Sequence, residues 1–215
     1  MGNLISTNYS QHAINIHAGV TSTVTSTFAS PANNPQGLSM DGSGNLLIST
    51  VTGPKIYIMS GVTSTVTSSF TPPGTIGTAG ISVTSTGNFL ATNVTDDKIF
   101  ICAGISGSVT SSFATPSTNP TGLTIEPVSG DLLSGNYLSP VRIYRHSGVT
   151  STILSSFDYS QTNPKDLTLD GSGNLLVADY SDAKIYVMNG LSSTITTSWA
   201  MTAPWGLTMD SEGGC

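Results

Sequence analysis

A chain of 215 residues with 37% hydrophobic side chains is long enough for one domain with its own core. Ser and Thr make up about 30% of it and charged residues only 8%, so uncharged polar groups carry solubility, a composition suited to an extracellular, cell-envelope or virion surface. The net charge of −6 and the lack of any Lys/Arg cluster argue against nucleic acid, and no apolar run approaches the ~20 residues of a membrane span.

Met1-Gly2-Asn3-Leu4 leads straight into patterned sequence, with no secretory signal visible. An exported protein of this sequence would be a mature form or a fragment, or would leave the cell without such a signal. The first full unit then shows four short strands. Gly37-Leu-Ser-Met-Asp41 alternates apolar and polar residues (strand a), and Asp41-Gly-Ser-Gly-Asn45 supplies turn chemistry. Leu46-Leu-Ile-Ser-Thr50 is strand b and Lys55-Ile-Tyr-Ile-Met59 is strand c. Val66-Thr-Ser-Ser-Phe70 is strand d. No segment shows a helical apolar period.

The same unit returns with a period near 43 residues, as Phe28, Phe70, Phe113, Phe157 and Trp199 mark. Full copies are expected over 36–70, 79–113, 121–157 and 165–199. The opening segment, 3–28, holds strands b, c and d but lacks strand a, and the closing segment, 205–210, is a strand a. Their union predicts an all-β ring spanning 1–215: a β-propeller of five four-stranded blades, shut by the C-terminal strand joining the N-terminal blade.

Pro164 to Val187, with Leu176-Val-Ala-Asp179 and Lys184-Ile185, resembles the NHL repeat of β-propeller proteins, and the likeness extends with falling fidelity over nearly the whole chain. The resemblance implies the fold and says little about function. Members of that family are commonly six-bladed. Five copies depart from that number, as part of a longer array or a strand-sharing assembly would.

In a propeller the channel end collects equivalent residues from every blade. At the end of strand b these are Asn8, Thr50, Asn93, Asn136 and Asp179, and before strand a they are Asn34, Gly77, Asn119, Asn163 and Ala203. All of them except Gly77 and Ala203 form the candidate ligand set for a small molecule or glycan. Propeller lactonases and related hydrolases resemble this arrangement in holding a divalent metal with Asn, Asp and Glu, but only Asp179 is a carboxylate here, less than a catalytic metal normally takes. The Asp41 and Asp170 turns begin like a calcium loop, yet Leu46 and Leu175 stand where glycine is needed and no bidentate Glu follows. A hairpin turn accounts for them. His17 and His146 share the position of Met59, Cys102 and Met188 at the end of strand c, in blades that are not neighbours, and His12 sits in a loop. Cys102 reads as a small buried apolar residue and Cys215 as an exposed terminal thiol. No catalytic residue, metal or cofactor is expected.

Thr21, Thr63 and Thr150 open near-identical Thr/Ser runs at strand d, the outer blade edge, where β-branched hydroxyl residues keep strand propensity with a polar face. They are candidate acceptors of O-linked glycans, and Asn8 and Asn93 head two N-glycosylation sequons. The functional expectation is a non-catalytic structural or binding module with a protein partner or self-association. The contrasting expectation is a metal-assisted hydrolase or lyase in the channel.

Overall fold

The repeats build strands because each short run is rich in β-branched and aromatic residues and ends at Gly, Asn or Pro. The computed structural model describes residues 2–51, 53–74 and 78–210, so Gly77 and Cys215 lie outside the described residues. Twenty strands form five antiparallel four-stranded sheets. The first full sheet runs β4 (Pro35–Met40), β5 (Leu46–Thr50), β6 (Lys55–Met59) and β7 (Val66–Phe70) from the axis outward. The other full sheets span Thr78–Ala114, Pro120–Asp158 and Pro164–Ala200.

The chain ends meet as the repeat phase requires. β20 (Pro204–Met209) lies antiparallel to β1 (Leu4–Asn8), with Leu4 opposite Met209 and Ser6 opposite Leu207. β2 (Ala13–His17) and β3 (Val24–Ala29) complete that blade. The innermost strands β4, β8 (Thr78–Val83), β12 (Pro120–Ile125), β16 (Pro164–Leu169) and β20 neighbour one another in a closed circle. The protein is a five-bladed β-propeller. Blades are numbered 1 to 5 around the ring, blade 1 being the composite one.

Apolar residues fill the space between adjacent blades. Ile5 and Ile14 of blade 1 pack on Leu38, Ile48 and Met59 of blade 2, and Leu47 and Ile56 meet Ile81, Phe89 and Cys102 of blade 3. Three further clusters continue the circle back to Leu4 and Leu207. Burying each Leu or Ile contributes about 1.5–3 kcal/mol. The expected face of each sheet is thus covered by its neighbour, and the outermost strands stay exposed.

Polar staples reinforce three of these joints. Ser49 Oγ accepts the Gly37 N–H at 2.8 Å and donates to the Ala79 carbonyl of the next blade at 3.4 Å. Thr7 does the same between Gly206 and Gln36, and Thr92 between Gly80 and Thr121. Blades 4 and 5 carry Gly135 and Ala178 at this position and have no such hydroxyl. The circle is five-fold in backbone and not in chemistry.

Candidate functional site at the channel mouth

The inner strands approach so closely at mid-axis that a side chain has no room. A Cβ on Gly37 would sit 2.5 Å from the Ala79 carbonyl oxygen, and one on Gly122 2.6 Å from the Asp166 Cα. Glycine occupies this register in blades 1 to 4, as Gly206, Gly37, Gly80 and Gly122, and blade 5 has Asp166. Its carboxylate is fully buried on the axis. Oδ2 accepts the N–H of Leu38 at 3.2 Å and of Leu207 at 3.0 Å, and Oδ1 that of Leu167 at 3.0 Å. The Leu123 N–H also bonds to this carboxyl. Burial pushes the carboxyl well above the usual range, against those four N–H groups. Asp166 gathers amides from blades 1, 2, 4 and 5 around one side chain, and a separate cavity lies at either end of the axis.

At the end where the inner strands finish, Ser39, Ser82, Thr124, Thr168 and Thr208 line an open cavity of about 560 Å³. All five blades give a hydroxyl there.

The opposite mouth, where the inner strands begin, is unlike it. A cavity of about 220 Å³ is lined by Gln36, Ala79, Thr121, Lys165 and Trp205, one residue per blade, with Val51, Val94 and Tyr137 behind them. Trp205 stacks on Tyr9 with centroids 4.4 Å apart, and Tyr180 meets Trp205 edge-on at 5.2 Å. The Lys165 Nζ sits 4.4 Å from the centre of the Tyr137 ring and 4.6 Å from that of Trp205. Lys165 is only 8% exposed, and among the described residues its ammonium has no hydrogen-bond acceptor or salt-bridge partner. Burial pushes it down to about 8, against the pull of Asp179. Gln36 Oε1, Thr121 Oγ1 and Trp205 Nε1 are also buried without a partner.

The residues singled out by the repeat lie just behind this lining and not in it. Asn8, Thr50, Asn93, Asn136 and Asp179 are all buried at the blade ends and hold their own loops. Asp179 accepts the N–H of Asn163 and of Asp182 at 3.1 and 3.0 Å. Asn93 Oδ1 accepts from Thr95 and Asp96, Asn8 bonds twice with Gln11, and Thr50 reaches the Lys55 carbonyl. Asn136 Nδ2 donates to Ser117, Leu138 and Pro140, and its Oδ1 accepts the Arg142 N–H. Asn34 and Asn119 take left-handed backbone, φ 56° and 55°, as does Ala203 at 45°, which explains asparagine before strand a. Asn163 donates through Nδ2 to Ser181. A glycan on Asn8 or Asn93 would have to displace packed side chains.

Asp41 and Asp170 each accept two backbone N–H groups and an Asn amide within their own turns. Among the described residues, no three His, Cys, Asp or Glu side chains cluster with metal-site geometry. Thr21, Thr63 and Thr150 are exposed, and each hydroxyl donates to a carbonyl three residues back and accepts an N–H two residues on. His17 and His146 are buried with Nε2 2.8 Å from Ser6 and Ser134 hydroxyls. Those serines are buried too, so neither pair faces a substrate. Cys102 is buried in the core, and burial raises its thiol. No helix among the described residues is long and apolar enough to cross a membrane.

The functional residues that repeat reasoning passed over are Asp166, Lys165 and Trp205. Each departs from its repeat mates, and reading the copies for differences at strand a would have flagged all three.

No protein-family model and no curated protein matches the sequence. Solved structures do match. A chain of a nidogen–laminin complex superposes with a TM-score of 0.72 at 16% identity, over 98% of both chains. Myxococcus xanthus glutaminyl cyclase gives 0.61 at 13% identity over 80% of this chain and 69% of that one. A catalytically inactive virginiamycin B lyase from Staphylococcus aureus gives 0.58 at 16% identity, over 96% and 74%. At such identities the likeness is one of fold, the β-propeller.

Proposed function

We propose that this chain is a non-catalytic, NHL-type propeller of an extracellular, cell-envelope or virion surface, acting as a binding module through the mouth bearing Lys165 and Trp205. One observation carries the reading. The carboxylates that would serve a hydrolase or lyase, Asp41, Asp170 and Asp179, are occupied by backbone N–H groups, whereas one mouth holds a buried cation without a partner. Hydrogen bonds already made favour architecture, and those left unmade favour a visitor. Protein partners fit the same reading, since one similar propeller comes from a nidogen–laminin complex. Self-association has its own surface in the outer strands, where Val24, Val66 and Val109 are each more than 40% exposed.

Metal analysis of the purified protein tests the non-catalytic reading, with no stoichiometric divalent ion expected. One tightly held ion per chain, lost in Asp179→Asn together with a hydrolytic or lyase activity, would replace it with the enzyme. Light scattering over a concentration series tests assembly. A strict monomer throughout removes self-association and leaves the mouth as the contact site.

A further inference from the structure

We propose that the Lys165 mouth binds a small organic carboxylate, with its anionic group on the Lys165 ammonium and its apolar body against Trp205, Val51 and Val94. The inference deepens the binding-module reading and rests on it for the site.

Charge selects the ligand first. A lysine side chain that is 8% exposed keeps little water around it, and aromatic faces replace only part of the hydration its ammonium has lost. Three N–H donors in such a place call for an acceptor, above all a charged one. A cationic ligand is disfavoured because Lys165 already occupies the aromatic cleft with the same charge. Asp179 acts on the amine through space, but its oxygens take the N–H groups of Asn163 and Asp182. The place of a counter-ion is open.

Size and polarity select next. At about 30 Å³ per water-sized group, the cavity of about 220 Å³ has room for about seven such groups, and covalently bonded atoms pack more closely, so a single-ring molecule the size of benzoate fits. Val51, Val94 and Ala79 give it an aliphatic wall, and Tyr137 and Trp205 an aromatic one. Gln36 Oε1 is an unused acceptor and Trp205 Nε1 an unused donor among the lining residues. The asymmetry of the mouth agrees with this. Three lining residues are small or neutral (Gln36, Ala79 and Thr121), and their carbonyls are fixed by the Thr7, Ser49 and Thr92 staples. The charge comes from Lys165 of blade 5, and the aromatic surface from Trp205 of blade 1 and Tyr137 of blade 4.

The test uses benzoate, with benzamide and benzylammonium as neutral and cationic matches of its shape. Trp205 is one of two tryptophans, so a Trp199→Phe background reports on it alone. Titrations are run with chelator present. Benzoate is expected to change Trp205 emission saturably, with both matched probes at least tenfold weaker. Lys165→Met, which keeps the apolar stem, is expected to lose at least tenfold in benzoate affinity. Affinity in the unmutated site should also fall above about pH 8, as the amine loses its proton, by up to tenfold per pH unit. That arm decides if the Met variant does not fold. The proposal is overturned if benzoate gives no saturable signal, if benzylammonium binds as tightly, or if affinity ignores both Lys165→Met and pH. Metal-dependent turnover would overturn the non-catalytic reading while leaving the chelated benzoate titration intact, so the two failures are separable.

Discussion

The two ends of the propeller axis are made by the same five inner strands and differ in what the repeat has been allowed to change. At the finishing end every blade contributes a hydroxyl: Ser39, Ser82, Thr124, Thr168 and Thr208. At the starting end the five equivalent residues are Gln36, Ala79, Thr121, Lys165 and Trp205, with no shared chemistry. Departures from the repeat also occur elsewhere, and there most of their polar atoms are paired within the fold. His17 and His146 stand where other blades have Met59, Cys102 and Met188, yet each is paired with a buried serine. On the third strand of blade 4 Arg145 replaces an apolar residue and bridges Glu126 and Asp131 at 2.7 and 2.9 Å. At the Lys165 mouth three buried polar atoms, Gln36 Oε1, Thr121 Oγ1 and Trp205 Nε1, are left unmatched on residues lining one cavity, whereas His17 Nδ1 and Trp199 Nε1 are unmatched singly elsewhere. Departures that pair within their own blade belong to the fold, and several left open around one cavity are candidates for recognition.

The largest effect should come from the group that separates the two ends. Asp166→Ala strips a fully buried carboxyl from the N–H groups of Leu38, Leu167 and Leu207. Leaving them unmatched should cost about 3–5 kcal/mol in chemical denaturation. Asp166→Asn keeps an acceptor oxygen and should lose clearly less. If Asp166→Ala melts like the parent protein, the mid-axis needs no plug and the two mouths are one channel.

The two buried histidines predict a pH dependence. Burial lowers the pKa of His17 and of His146 from 6.5, against backbone hydrogen bonding to Thr21 and Thr150. Below pH 6.5 the unfolded chain takes up protons that the native state refuses, so stability falls as pH drops toward the folded values. Between those limits the loss is about 1.4 kcal/mol per pH unit for each histidine. The double variant His17→Met, His146→Met, built from the residues other blades use, should remove that slope below pH 6.5. An unchanged slope would assign the acid sensitivity to other groups, Asp166 being excluded because its raised pKa acts with the opposite sign.

Much of this was readable beforehand, and the boundary is physical. Apolar alternation and a 43-residue period depend on many residues at once, so five blades and the β1–β20 closure followed from the pattern, with strand limits within a residue or two. The site was not readable by the same route. Averaging the copies points to Asn8, Asn93, Asn136 and Asp179, and these recur because every blade needs a loop clamp at that place. Lys165 gains meaning only from Tyr137, 28 residues earlier, and Trp205, 40 residues later. Ring closure creates those neighbours, and no local window contains them.

The unmatched mouth should show a trade-off between stability and binding. Lys165→Met exchanges a desolvated cation for an apolar side chain of similar length, which should stabilise the fold by about 1 kcal/mol or more at neutral pH. The parent protein should also gain stability as pH rises from about 8 to 10.5, because the unfolded chain then holds a proton that native Lys165 has released. The Met variant should lack that gain and show only the opposite slope from Cys102, Tyr159 and Tyr186, whose pKa values burial raises. A destabilised variant would make Lys165 part of the architecture, its aromatic contacts outweighing its desolvation.

The smallest effect belongs to the symmetric end. Thr168→Val and Thr208→Val remove hydroxyls that face the open cavity and hold no other blade, while keeping the β-branched shape the strand prefers. Each should change stability by less than about 0.5 kcal/mol, and neither should alter benzoate affinity at the far mouth, because Asp166 and the glycine ring lie between them. A hydroxyl loss felt at Lys165 would mean that the two ends communicate along the axis. The contrast between a shared end and a specialised one would then be wrong, because one end would be tuning the other.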